Sequence, residues 1–229
     1  MEGGSSGIEI FVVSRDGEEK KRDEVICEEE VVVRIDGEIH KFYCIPSDLE
    51  EMILGNLKSR GIDPSFIKIK KIADNEFNVD LSAVKGLTKN PQKCGSNKNL
   101  TNKEVFHSVE MLNANGLLYK KTGCTHVIGV CGDGGIFVED TSRHCAIDKA
   151  IGLAIRGGID LSDSFLVASC RQTASTIKKA IFCGIPIVIS VAAPTGLAIK
   201  EAEEYGITLI GFADSKRFNI YSHGWRIKI

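Results

Sequence analysis

Apolar residues recur in short alternating runs through the first half of the chain. IEIFVV (8–13) and VVVRI (31–35) carry the two-residue period of strands, and the second run passes through Asp36-Gly37 into EIHKFYC, a hairpin signal. The period then lengthens. PSDLEEMILGNLKSRG predicts a helix, with Ser47 and Glu50 as a capping box and Gly61 as its stop. IKIKKIA and EFNVDLS predict a second hairpin around Asp74-Asn75. Thr101 and Glu104 form another capping box, opening a helix through Val105, Phe106, Val109 and Leu112 that ends near Asn115-Gly116.

The second half is more regular. HVIGVC and IFVED flank GDGG as a hairpin, and RHCAIDKAIGLAIRGG has the inward spacing of a helix. SFLVAS (164–169), IPIVISVA (185–192) and ITLIGFA (207–213) read as buried strands. Between them lie TASTIKKAIFCG and PTGLAIKEAEEYG, amphipathic and each closing on a glycine, Gly184 or Gly206. Such alternation makes βαβ units and a parallel sheet. The expected organisation is a tail over 1–7, an N-terminal α+β lobe over 8–113 that holds the loop 90–99, and an α/β domain over 114–229. The two halves are open to sharing one core.

Composition narrows the picture without redirecting it. With 43% hydrophobic and 26% charged residues and a net charge of −2, the chain reads as soluble, and any basic site on it must be local. No apolar run reaches the length of a membrane span, and MEGGSSGIEI has no basic start followed by an apolar block, so a cytoplasmic protein is expected. The eight cysteines show no CxxC, which in a reducing compartment means free thiols. Cys27, Cys44, Cys131, Cys170 and Cys183 lie in or beside apolar runs and read as small buried residues. Cys94 stands apart, in the polar loop NPQKCGSNKN.

Ligands of parallel sheets gather beyond the carboxyl ends of the strands. Here those ends carry Cys170-Arg171-Gln172-Thr173, then Pro194-Thr195-Gly196, then Asp214-Ser215-Lys216-Arg217. Hydroxyls, helix starts and guanidinium groups on one edge are what a phosphate-bearing ligand needs, although each residue alone reads more readily as a helix cap or a solvated charge. Arg143 and His144 open another helix, and Asp148 is four residues on. Two readings stand side by side there: a ligand-binding or acid–base histidine oriented by Asp148, and a polar pair on a solvated face. Cys124 and His126 supply only two ligands, so no protein-bound metal is expected. No basic–aromatic stripe points to nucleic acid.

Longer motifs carry a resemblance. TGCTHVIGV, EDTSRHCAIDKAIG, VASCRQTAS and GITLIGFADSKRFNIYSHG, preceded by EEEVVVRIDGEIHKFYCIPSDLEEMILGNLKSRGI, resemble the formate dehydrogenase accessory sulfurtransferase (FdhD/NarQ) family. The resemblance runs from about residue 28 to the end. It implies a cytidine-deaminase-like three-layer domain with a mixed sheet and no zinc ligands, plus the smaller lobe, in a homodimer. It also implies a function: passing persulfide sulfur from a cysteine desulfurase to the molybdenum or tungsten bis-(molybdopterin guanine dinucleotide) cofactor, which activates formate dehydrogenase. The family's CGxCG loop supplies the persulfide. Cys94-Gly95 matches one of its two CG steps, in either register, with Lys93 and Lys98 as thiolate-stabilising cations. The family's cofactor-contacting stretch falls on Phe212, Ala213, Asp214, Ser215, Lys216 and Arg217, joined by Arg143, His144, Arg171 and Thr195 to hold a guanine-nucleotide-type ligand.

This sequence departs from the family pattern in four places. One of the two loop cysteines is absent, GRHN is SRHC, SGR is SCR, and the arginine usual after GFA is Asp214. The alternative reading is therefore a cofactor-binding chaperone that has lost or reduced sulfur transfer. A hydrolase on the deaminase scaffold ranks third, because the zinc ligands are missing.

Overall fold

Charge does not prevent the first pairing. In the computed structural model, which describes residues 4–84, 89–132 and 134–229, strand β1 (Ser5–Ser14) pairs antiparallel with β2 (Gly17–Ile26), from Ser5 opposite Ile26 to Ser14 opposite Gly17. The run GEEKKRDEVI gave no strand signal, since both of its faces are polar; backbone pairing to the apolar β1 supplies what its own pattern lacks. Residues 5–7 belong to β1 rather than to a tail, and residues 1–3 lie outside the described residues.

Strands β3 (Glu29–Ile35) and β4 (Glu38–Cys44) form the hairpin expected at Asp36-Gly37, whose φ values of 47° and 88° are those of a tight primed turn. Helix α1 (Leu49–Lys58) follows, then the hairpin of β5 (Lys68–Ala73) and β6 (Glu76–Asp80). The sheet order is β4-β3-β6-β5, with β3 and β6 parallel. Val31, Val33, Ile35, Phe77 and Val79 share a face and pack on Met52, Ile53 and Leu57 of α1. The expected capping box of α1 does not form. The N-cap is Asp48, at φ 50° and without a side-chain cap bond. The far end closes as the glycine predicts. Ile62 N donates to Leu57 O and Gly61 N to Lys58 O, with Gly61 at φ 80°, a Schellman motif one turn beyond the last helical residue.

The second body begins with β7 (Leu100–Thr101) and α2 (Asn102–Asn115), whose Thr101–Glu104 capping box forms as expected. It continues through α3 (Leu117–Thr122), β8 (His126–Gly132), β9 (Gly134–Asp140), α4 (Arg143–Arg156), β10 (Phe165–Ala168), α5 (Ala174–Cys183), β11 (Ile187–Ser190), α6 (Gly196–Tyr205), β12 (Thr208–Gly211), β13 (Asn219–Ser222) and β14 (Ile227–Lys228). Asp133, in the expected GDGG turn, lies outside the described residues. The six-stranded sheet runs β13-β12-β11-β10-β8-β9; β10, β11 and β12 are parallel, and the remaining pairs are antiparallel. Residue alternation sorts its two faces. Ile128, Leu166, Val188 and Leu209 meet α4, α5 and α6. Val127, Val167, Ile189 and Ile210 meet Val105, Val109 and Leu112 of α2. Each such side chain contributes about 1.5–3 kcal/mol by leaving water. A boundary at 113/114 would fall inside α2, which packs on this sheet.

The two bodies are joined where α1 crosses α4. An added Cβ at Gly55 would sit 1.9 Å from Asp148 O, and one at Gly152 would sit 1.9 Å from Glu51 O, so only glycines permit this approach. The Asp148 carboxylate accepts from Asn56 Nδ2 at 2.9 Å, from Ser59 Oγ at 3.1 Å and from Lys179 Nζ. Beside it, fully buried Lys149 donates to Asp140 and to Ile45 O, both at 2.6 Å. The eight cysteines are free thiols. Cys44, Cys131, Cys170 and Cys183 are buried as expected, Cys27 is half-buried, and Cys145 is buried at the α1–α4 junction. Among the described residues no helix is long and apolar enough to cross a membrane.

Candidate functional site

Because β10, β11 and β12 are parallel, their carboxyl ends line one edge of the sheet, and β9 ends on that edge too. Arg143, Arg171, Thr195 and 212–217 all sit there. From β9 to β12 the row covers four strand spacings, about 19 Å. Thr195 Oγ1 caps α6 by accepting from Ala198 N, and Thr195 N donates to Gln172 O at 2.9 Å, tying two of the strand-end loops together. Phe212 stands at φ 52° and is 42% exposed, while Ala213 is buried beneath it. Asp214 Oδ1 accepts from Lys216 N at 2.6 Å and Arg217 N at 2.9 Å, and these bonds hold its carboxyl below the usual range. The carboxylate therefore shapes the turn that presents Ser215, Lys216 and Arg217 to solvent. Where the related pattern has arginine, this chain has a turn-former.

Arg143 Nε is buried and has no hydrogen-bond partner among the described residues. Arg143 and Arg171 both act on His126, whose pKa is lowered first by burial and then by these two guanidinium groups. Burial also pushes the Cys170 thiol up to about 11, against the pull of the same arginines. His126 lines a cleft of about 590 Å³ together with Tyr119, Lys120, Cys124, Ser169 and Val191. Sequence reading weighed His126 only as a metal ligand; its place in the TGxxH match was the signal that it faces this edge. Among the described residues no group of three or more His, Cys, Asp and Glu side chains is placed to hold a metal ion.

His144 is half-buried, and its pKa is lowered by burial and then by Lys179 and Arg143. Asp148 does not orient its imidazole. That carboxylate is engaged by Asn56, Ser59 and Lys179, and it joins α1, α4 and α5.

Cys94 lies on the opposite edge. Cys94 N donates to Tyr205 O at 2.8 Å, and Gly206, just ahead of β12, packs against the Cys94 backbone. Four-residue strands of about 3.3 Å per residue, about 13 Å in all, separate this edge from Arg171, Thr195 and Phe212. The loop is pinned rather than free. Lys89 N donates to Gly61 O, and Ser96 O accepts from Arg226 Nε and Nη2. Arg226 is 1% exposed, donates through Nη1 to Gly206 O at 2.8 Å, and lies 4.1 Å from the centre of the Trp225 ring. Burial lowers its pKa and the charge of Cys94 opposes that, while its bonds to Ser96 O and Gly206 O hold the guanidinium beside the Cys94 loop. Lys98, expected to stabilise the thiolate, turns instead to Asp163 at 3.5 Å.

Half-buried Cys94 opens into a cleft of about 440 Å³, shared with Lys58, Lys89, Lys93 and a second thiol, Cys183. Burial pushes Cys183 up to about 12, so it stays a protonated thiol at neutral pH. The chemistry available here is that of one accessible sulfur beside a fixed cation, in a pocket rich in ammonium groups.

Comparison with known proteins places these two edges in context. Residues 78–228 match the FdhD/NarQ family. The sulfur carrier protein FdhD of Methanothermobacter thermautotrophicus is 32% identical over 92% of this chain and 94% of its own length. That of Wolinella succinogenes is 28% identical over 97% and 90%. The crystal structure described as a formate dehydrogenase accessory protein from Desulfotalea psychrophila superimposes with a TM-score of 0.86 at 23% identity, covering 99% of this chain and all of that one. At that identity the likeness speaks for the fold.

Proposed function

The chain belongs to the FdhD/NarQ family, and from that premise we propose that it is a sulfur carrier serving a formate dehydrogenase. Cys94 accepts sulfane sulfur from a cysteine desulfurase and holds it as a persulfide. The carboxyl-edge loops, with Arg143, His144, Arg171, Thr195 and 212–217, hold the molybdenum or tungsten bis-(molybdopterin guanine dinucleotide) cofactor that receives the sulfur. The observation that carries this reading is the setting of Cys94, half-buried in a lysine-rich cleft on a loop that the buried Arg226 guanidinium holds through Ser96 O. Thiolate is the nucleophilic form of a cysteine, and a half-buried Cys94 keeps its sulfur open to a donor. The mixed sheet with helices on both faces supports a deaminase-like architecture. A homodimer is proposed on family membership alone. Within one chain the two edges are separated by the length of the strands, so delivery needs a loop excursion, a path through the assembly or the client itself.

The test is to incubate the full chain with a cysteine desulfurase and cysteine, map persulfide by mass spectrometry, and assay activation of a formate dehydrogenase. Cys94→Ala is expected to abolish both charging and activation. Normal charging and delivery by that variant would sink the mechanism. The chaperone reading is favoured by the orphaned Arg143 Nε, a ligand-binding feature that does not need Cys94. Client activation by Cys94→Ala separates the two, since only the chaperone reading keeps it; GDP binding by wild type, weakened in Arg217→Ala, is expected of both, and no binding by either protein would undermine both.

A further inference from the structure

We propose that the Cys94 cleft is also a binding site for small anionic sulfane-sulfur donors, compounds whose terminal sulfur is attached to an anionic leaving group. Thiosulfate and the persulfide of a carboxylate-bearing thiol share that chemistry. The inference rests on Cys94 being the persulfide residue.

The cleft has the size and charge for it. At about 440 Å³ it falls within the range of small-molecule sites. Three lysines line it, Lys58 from the end of α1 and Lys89 and Lys93 from the segment that carries Cys94, and no carboxylate lines the cleft among the described residues. Lys58 and Lys89 also help hold the nearby Asp63 carboxyl low, but its Oδ1 is already taken by Ser65 N at 3.0 Å and Ser65 Oγ at 2.7 Å. Asn90, Gln92 and Ser162 add hydrogen-bonding groups to the wall. A chain of net charge −2 has gathered cations around one thiol.

That arrangement answers a specific difficulty. A thiolate attacking an anionic donor brings two negative groups together, so the approach is unfavourable unless fixed cations surround it. The three lysines that line the cleft supply them. With thiosulfate, the Cys94 thiolate attacks the outer sulfur, the new S–S bond forms as the old one breaks, and sulfite departs with the bonding pair. The products are Cys94 persulfide anion and sulfite, and charge is conserved. With an alkyl persulfide, the thiolate takes the terminal SH and the parent thiolate leaves. Neither step needs an outside oxidant. Cys183, protonated at neutral pH, shares the cleft without attacking the new persulfide.

The experiment uses the reduced full chain with thiosulfate, with glutathione persulfide, with a neutral organic trisulfide, and with a cysteine desulfurase plus cysteine. Intact-mass and peptide mapping follow sulfur on Cys94, and released sulfite or glutathione is measured. The expected result is stoichiometric loading of Cys94 by at least one anionic donor. Lys58→Gln combined with Lys93→Gln slows that loading about tenfold, 0.5 M salt slows it in wild type, and the neutral trisulfide reacts at the same rate with both proteins. Unfolding curves of wild type and variant establish that both are folded. Failure of both anionic donors, or wild-type rates in the lysine variant, overturns the inference. If the desulfurase alone still charges Cys94, the cleft is a docking surface for a protein donor and the sulfur-carrier reading stands. If no donor charges Cys94, both fall.

Discussion

A thiol's reactivity depends on its thiolate fraction and on access, and the cysteines of this chain divide on both counts. Cys124 is exposed and Cys94 half-buried, whereas Cys131 and Cys170 are buried and pushed up to about 11 and Cys183 up to about 12. A maleimide at pH 7.5 is therefore expected to label Cys124 first, then half-buried Cys94 and Cys27, leaving Cys131, Cys170 and Cys183 unlabelled until denaturant is added; rapid labelling of Cys183 in the native protein would contradict its burial. Arg226 is the other decisive residue. It satisfies the carbonyls of Ser96 and Gly206 and the hydroxyl of Thr208, and so ties down the loop that carries Cys94. Arg226→Met leaves these acceptors unpaired. The expected cost is about 2–3 kcal/mol in urea unfolding, with slower alkylation of Cys94. Alkylation at the wild-type rate would mean the guanidinium does not govern the thiol. From sequence this residue was one cation in HGWRIKI, because nothing local ties it to a loop so distant in the chain. Lys98 had the opposite fate: adjacency in sequence favoured it, and Asp163 claims it.

Elements were legible where the signal is local. The Asp36-Gly37 hairpin, the Thr101–Glu104 cap and the glycine stops at Gly184 and Gly206 each rest on a few neighbouring residues, and each forms. Strand β2 was not legible, since its pairing comes from β1, and Ser47 lost the cap of α1 to a left-handed Asp48. Least legible was the α1–α4 crossing. Gly55 and Gly152 interrupt two helical patterns at a propensity cost of about 1 kcal/mol each, a sign of a packing requirement whose partner the sequence does not name. Here that requirement is backbone against backbone. Gly55→Ala and Gly152→Ala are each expected to destabilise by about 2 kcal/mol or more, despite the better helix propensity of alanine. Gly95→Ala, with nothing within 4 Å of the added Cβ, serves as the neutral control. Urea midpoints for the three variants decide it: equal midpoints would remove the steric account of how the two bodies meet. The strand-end site was partly legible for the same reason as the hairpins, since βαβ order alone puts 171, 195 and 212–217 on one edge. What βαβ order does not reveal is the position of loop 90–99, which joins the other edge through Tyr205 and Arg226.

At the scale of the whole molecule, the six-stranded sheet holds two cationic edges apart in a protein whose net charge is −2. The carboxyl edge carries a consequence for stability. Both of its half-buried histidines have pKa values lowered in the fold, His126 by burial, Arg143 and Arg171 against Asp140, and His144 by burial, Lys179 and Arg143 against Asp148. A histidine whose folded pKa lies below its unfolded value near 6.5 binds fewer protons in the native state. The unfolded chain then gains protons first as pH falls, so stability rises with pH through the window just below 6.5 and is lost on acidification. Carboxylates held low by their own bonds, such as Asp63, Glu104 and Asp214, also weaken the fold in acid, but only below about pH 4.5. Between pH 7.5 and 5.5 the histidines therefore dominate. Urea midpoints are expected to fall over that interval, and the fall should shrink in His126→Asn and again with His144→Asn added. An anion bound between Arg143 and Arg171 opposes the lowering, because it offsets the repulsion that adds to the effect of burial on His126. Saturating GDP should thus raise the His126 pKa, read from its ring-proton shifts by NMR, and flatten the pH dependence. A His126 pKa that does not move when GDP binds would place the nucleotide away from the arginine pair.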